Sequence, residues 1–142
     1  MFNNINLIGN LGNNPTLRYF EDGTAVCNFS LATNQRWKGN NGQTQEETTW
    51  FRINVYGKQA ESCNAYLQTG KQVHIAGRLK PDSRTGGPRL YQRNDGTMAA
   101  AFEVVASRVD FLSGNGNGNG NGSSNGYREP VIEEDGVWVT TV

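Results

Sequence analysis

An all-β fold class, five short strands closed into a barrel with one helix between the third and the fourth, is predicted by three observations. Apolar and polar residues alternate through several short runs bounded by Gly, Asn and Pro. Only one stretch carries an apolar stripe at helical spacing. Two long polar loops separate strands where a compact domain would ordinarily use short ones.

The first strand is Ile5–Leu11. The second is Ala25–Asn34, with Ala25, Cys27, Phe29 and Leu31 on one face. Arg36–Glu47 then reads as a long polar loop. The third strand is Thr48–Tyr56. In the helix, Gln59–Leu67, Ala60, Cys63 and Leu67 fall at i, i+3 and i+7, and Gly70 stands where a C-terminal cap belongs. Gln72–Lys80 is the fourth strand, with Val73, Ile75, Gly77 and Leu79 pointing one way. Pro81–Thr97 reads as a still longer loop. The fifth strand is Ala99–Phe111, with Phe102 and Val104 on its inner face. Five strands in this order with a helix after the third give the OB-fold barrel, in which such loops flank a ligand groove.

The 142 residues suggest one domain with an appendage. The expected division is an OB-fold body over 1–113, a Gly/Asn linker over 114–126 and an acidic and apolar segment over 127–142. Thirteen residues of Gly-rich coil span roughly 20 Å. The last segment runs Glu133-Glu134-Asp135-Gly136-Val137-Trp138-Val139. Acids followed by apolar residues suit a ligand peptide, while Val137–Val142 equally suits an edge strand.

Lys and Arg number 13 and so do Asp and Glu, which excludes a protein that holds nucleic acid by bulk charge. The zero hides an asymmetry. Residues 114–142 carry Arg128 against Glu129, Glu133, Glu134 and Asp135, leaving 12 bases and 9 acids on the body. A body of +3 fits an anionic ligand. Mean hydropathy is −0.65 and no apolar run approaches a membrane span. Met1-Phe2-Asn3-Asn4 does not open like a secretory leader, so a cytoplasmic location is expected. Cys27 and Cys63 form no framework and His74 is the only histidine, so neither a metal nor another cofactor is expected. The body acids are scattered, which speaks against a metal-dependent nuclease and against an enzyme generally.

The third strand carries most of the functional signal. Phe51, Ile53 and Val55 make a core face. The other face bears Trp50, Arg52, Asn54 and Tyr56. Two rings on a polar face fit base stacking, with the intervening Arg on a phosphate. They also fit a sheet-to-sheet contact in an oligomer. Three further observations favour stacking. Trp37 lies between Arg36 and Lys38, the fourth strand sends His74, Ala76, Arg78 and Lys80 outward, and Tyr91 lies between Arg89 and Arg93. Aromatics interleaved with bases describe a platform for unpaired nucleic acid.

Five ordered motifs then resemble the bacterial single-stranded DNA-binding proteins. They are Gly9-Asn10-Leu11-Gly12-Asn13-Asn14-Pro15 with Arg18-Tyr19, Asn28-Phe29-Ser30-Leu31-Ala32-Thr33-Asn34, Trp50-Phe51-Arg52, Tyr56-Gly57-Lys58-Gln59-Ala60-Glu61, and Val73-His74-Ile75-Ala76-Gly77-Arg78-Leu79. The resemblance implies a homotetramer that binds single-stranded DNA without strong sequence preference, in replication, recombination and repair, and without catalysis. It puts stacking aromatics at Trp37, Trp50 and Tyr56, with Tyr91 the nearest match to a fourth. The family commonly ends in an acidic run closed by an apolar pair that recruits replication and repair proteins. This chain departs from that pattern, continuing through Thr140 and Thr141 to Val142.

Overall fold

The computed structural model describes residues 1–112 and the short pieces 131–132 and 138–139. Its elements are β1 (Ile5–Leu11), β2 (Thr16–Tyr19), β3 (Ala25–Lys38), β4 (Thr44–Tyr56), α1 (Lys58–Tyr66), β5 (Gln72–Leu79), β6 (Arg89–Gln92) and β7 (Met98–Phe111), then β8 (Val131–Ile132) and β9 (Trp138–Val139). β8 and β9 pair antiparallel with each other. The expected linker over 114–126 and the acids Glu133–Asp135 lie outside the described residues.

The main sheet runs β1-β5-β7-β4-β3-β2, and a second pairing of β1 with β3 closes five of its strands into a barrel. All pairings are antiparallel except β4 with β7. Closure needs Gly9. A Cβ there would collide with the carbonyl of Ala32, the residue opposite Asn10 in the β1–β3 pairing. Gly77 plays the same part at the β-bulge after Ala76, where a Cβ would strike the carbonyl of Val105.

Alternation along the strands builds the interior. Leu7, Leu11, Cys27, Phe29, Leu31, Ile53, Val55, Val73, Ile75, Val104 and Ala106 form one buried cluster. α1 adds Ala60 and Cys63 to it, and Leu67 follows as the capping residue. The two cysteines are buried free thiols.

Several expectations need correction. The Arg36–Glu47 loop is mostly strand. Residues 33–38 and 44–49 pair rung by rung, leaving only 39–43 as a turn beyond the barrel. Within Pro81–Thr97, β6 pairs back onto β7. β2 was not expected at all, because four residues after a proline show too little alternation to read. Lys80 falls just past the end of β5, and α1 starts and ends one residue earlier than its stripe suggested. Phe102 has the inward parity of Val104 yet is 48% exposed. It leaves the barrel's mouth and packs against Phe51, ring centres 5.8 Å apart. Leu79 is likewise exposed, at the far end of β5.

Candidate nucleic-acid interface

Directly paired residues on neighbouring strands point to the same side of a sheet, so register alone defines the candidate surface. Trp50, Arg52, Asn54 and Tyr56 of β4 lie opposite Ala32, Ser30, Asn28 and Val26 of β3. Further along the same face, Arg36 and Lys38 lie opposite Glu46 and Thr44. Arg18 of β2 pairs with Val26. On the other flank Arg52 pairs with Glu103 and Asn54 with Val105. Arg78 pairs with Val105, and Lys80 donates its backbone N–H to the Glu103 carbonyl at 2.8 Å. Arg89 and Tyr91 lie opposite Ala101 and Ala99. Eight of the nine expected site residues thus share one exterior face: Arg36, Lys38, Trp50, Arg52, Tyr56, Arg78, Lys80 and Tyr91.

Trp37 is the exception. It pairs with Gln45, on the opposite parity from Trp50. The ring is 47% exposed near the end of the β3–β4 arm. Trp37 and Trp50 thus stand on opposite sides of the paired β3 and β4 strands by parity.

The rings are held differently. Trp50 is half-buried, because Gly12 makes room for it. A Cβ on Gly12 would stand 2.5 Å from Trp50 Cζ3 and 2.7 Å from Ser30 Oγ. The turn carrying Gly12 is itself fixed at two points. Asn13 Oδ1 accepts hydrogen bonds from Ser30 N and Oγ, both at 2.8 Å. Asn14 Oδ1 accepts from Thr69 N at 2.9 Å and Oγ1 at 3.1 Å. Beside Trp50 lies a hollow of about 320 Å³ lined by Asn10, Gly12, Ala32, Asn34 and Thr69. Tyr56 is 40% exposed, and Phe20 lies nearly parallel to it, 15° between planes and 6.5 Å between centres. Sequence reading missed Phe20. Its only signal was Arg18-Tyr19-Phe20 just ahead of the Glu21-Asp22-Gly23 turn.

Beneath the cations lies a buried polar floor. Asn28, Ser30, Asn54 and Glu103 are all buried on this face. Asn54 Nδ2 donates to Glu103 Oε1 at 2.9 Å. Lys80 Nζ stands 4.0 Å from the same oxygen. Arg52 is half-buried over this floor. Burial lowers its pKa first, the nearby charges of Arg89 and Arg18 lower it further, and Glu103 opposes them. Its Nε has no acceptor among the described residues. Elsewhere cations are already paired: Arg36 with Glu46 at 3.5 Å, Arg84 with Asp82 at 3.4 Å and Arg108 with Asp110 at 2.9 Å. His74 lies on the exterior of β5 but is engaged with Asp110 at 2.9 Å and Asn6 at 3.1 Å. No group of three or more His, Cys, Asp or Glu able to hold a metal occurs among the described residues.

A small closed barrel with rings and unpaired arginines on one exterior face is an OB-fold binding module. The model of the single-strand binding protein family matches residues 2–112, and the chain belongs to that family. A single-stranded DNA-binding protein of Neisseria meningitidis is 40% identical over 126 residues, 88% of this chain and 68% of the relative. Single-stranded DNA-binding protein 1 of Chlorobaculum tepidum is 37% identical over 131 residues, 87% of this chain and 75% of that one. Among solved structures, the Plasmodium falciparum SSB complex with ssDNA superposes with a TM-score of 0.65 at 29% identity, covering 80% of this chain and 97% of the other.

Proposed function

We propose that this chain binds single-stranded DNA with little sequence preference, stacking bases on its rings and meeting phosphates with its arginines and lysines. It is a binding protein and not an enzyme. The observation that carries the reading is one exterior sheet face on which Trp50, Tyr56 and Tyr91 alternate with Arg52, Arg78 and Lys80. Flat rings accept any base, and cations follow the backbone, so the chemistry favours an unpaired strand over a duplex. Trp37, Arg36 and Lys38 extend contact along the β3–β4 arm, with Trp37 serving the arm's other side. The division into a binding body over 1–113, a linker over 114–126 and a terminal segment over 127–142 belongs to the same reading.

The cellular role is to cover and protect single strands during replication, recombination and repair, in the cytoplasm at the nucleoid. The chain assembles as a homotetramer. Exposed apolar residues, including Ile8 on β1 and Phe102 with Met98 on β7, support self-association. Replication and repair proteins dock on the terminal segment. The test is a thymidine homopolymer titrated against intrinsic tryptophan fluorescence, with light-scattering mass measured on the same sample. Quenching that saturates and reverses with salt, on a particle of four chains, supports the reading. Unchanged emission at low salt with excess oligomer refutes it.

A further inference from the structure

We propose that Phe20 is a further stacking ring, which takes one base of the bound strand beside Tyr56 and carries the strand's path off β4 and over the β2–β3 turn. The inference rests on the single-strand reading and deepens it. Phe20 is not among the site residues expected from sequence.

Strand parity places the ring independently of any ring contact. Arg18 of β2 and Tyr56 of β4 both lie opposite Val26 of β3, so their side chains share the exterior face. Phe20 follows Arg18 by two residues and prolongs the β2–β3 ladder, its backbone N–H donating to the Thr24 carbonyl at 2.9 Å. Alternation therefore sends Phe20 to the side of Arg18 and Tyr56. Tyr19, between them in sequence, goes to the other side, where its hydroxyl donates to Glu61 Oε1 of α1 at 3.3 Å. Ring geometry agrees with the parity. The Phe20 and Tyr56 planes lie 15° apart, with centres 6.5 Å apart.

The backbone that carries the ring is itself held. The Phe20 carbonyl accepts from the Gly23 N–H at 2.9 Å, which closes a turn over residues 20–23. Gly23 has φ 87°, the left-handed conformation that such a hairpin turn places on glycine. Asp22 Oδ1 accepts from the Thr24 backbone at 2.9 Å. A ring carried on a turn fixed at these points is pre-organised, so ordering it on binding costs little.

Nothing in the barrel accounts for the ring's exposure. Phe20 is 52% exposed, and it belongs neither to the buried cluster nor to the partly buried residues packed against it. Its apolar face stays in water, a cost that a stacked base removes. The surroundings select a base over a phosphate. Glu21 and Asp22 follow directly in the chain, and carboxylates repel a phosphodiester. A phenyl ring accepts the flat face of any base with no hydrogen bond.

The test separates a flat ring from apolar bulk. The full chain as wild type, Phe20→Ala, Phe20→Leu, Phe20→Tyr and Tyr56→Ala are titrated with a thymidine homopolymer across a salt series. Light-scattering mass is recorded for each free protein. Loss of one stacked base predicts that Phe20→Ala and Phe20→Leu each bind about fivefold to about 100-fold more weakly. Phe20→Tyr keeps a flat ring and should stay within about twofold of wild type. The slope of log affinity against log salt should not change in any Phe20 variant, since a phosphate contact is worth about 0.7 and none is lost. Wild-type affinity in Phe20→Leu means that the residue supplies only bulk, and it overturns the proposal. Wild-type affinity in Phe20→Ala overturns it too, as does a slope smaller by about 0.7. A loss of affinity that comes with a fall in mass assigns the ring to a contact between copies of the chain, and also overturns it. If wild type itself does not bind, the single-strand reading has failed. If wild type binds and Tyr56→Ala weakens it while Phe20→Ala does not, only the role of Phe20 has failed.

Discussion

Trp50 and Gly12 act as a pair. The indole lies over a residue with no side chain, and a methyl added there would meet its ring at 2.5 Å and the Ser30 hydroxyl at 2.7 Å. Gly12→Ala should therefore push the ring outward. The expected cost is about 1–3 kcal/mol of stability, typical of overpacking. Fluorescence should shift to the red in the free protein, and homopolymer affinity should fall while the barrel stays folded by circular dichroism. Trp50→Ala and Tyr56→Ala should each remove about 1–3 kcal/mol of binding, the usual contribution of one stacked base. If Trp50→Ala binds as wild type, stacking at that ring is wrong. Cys27 and Cys63 behave oppositely to functional residues. Both are buried, and burial pushes their thiols up to about 11 and about 12. The nucleophile is the thiolate, so an aromatic disulfide reagent should find no reactive thiol in the native protein at pH 8. It should find two after addition of urea.

Strands with an unbroken period of two were legible, and the reason is burial on one side only. Ile53 and Val55 are buried opposite Tyr56, and Val73 and Ile75 alternate with partly exposed His74 and Ala76. The same rule placed most of the site on one face. It could not assign a side to Trp37, because the β3–β4 arm leaves the barrel, where no core marks which side is inner. β2 and β6 were invisible for a different reason. Each is four residues long and held by its neighbour's backbone rather than by a buried face. For β6 part of the hold is Asp82. Its carboxylate accepts from the Arg84 backbone at 2.9 Å and from the Leu90 backbone at 3.3 Å, beside the Arg84 guanidinium. The hydrogen bond from the Arg84 side chain comes first among the causes that hold its pKa at about 2. A depressed carboxylate stabilises the fold fully above its unfolded value near ~4 and loses that contribution as pH falls toward the folded value. Exchange protection at Leu90 and Tyr91 should thus decline between about pH 4 and about pH 2. Asp82→Ala should show the loosened β6 already at pH 7. Equal protection in variant and wild type would remove Asp82 as the anchor.

Across the whole chain, charge is separated rather than absent. The body's 12 bases and 9 acids stand against one base and four acids in residues 114–142. An acidic run that reaches the body's cationic face would compete there with a DNA backbone. Competition of this kind is electrostatic and follows the Debye length, about 10 Å at 0.1 M salt and about 30 Å at 0.01 M. Replacing Glu133, Glu134 and Asp135 by Gln, Gln and Asn in the full chain removes three negative charges and touches no ring or arginine of the body. Affinity for a thymidine homopolymer should rise severalfold near 0.02 M salt, and the gain should shrink below about twofold by 0.3 M, where the screening length is far shorter. A gain that persists undiminished at high salt would point to a specific contact instead. No gain at any salt would mean that the acidic run and the cationic face never meet.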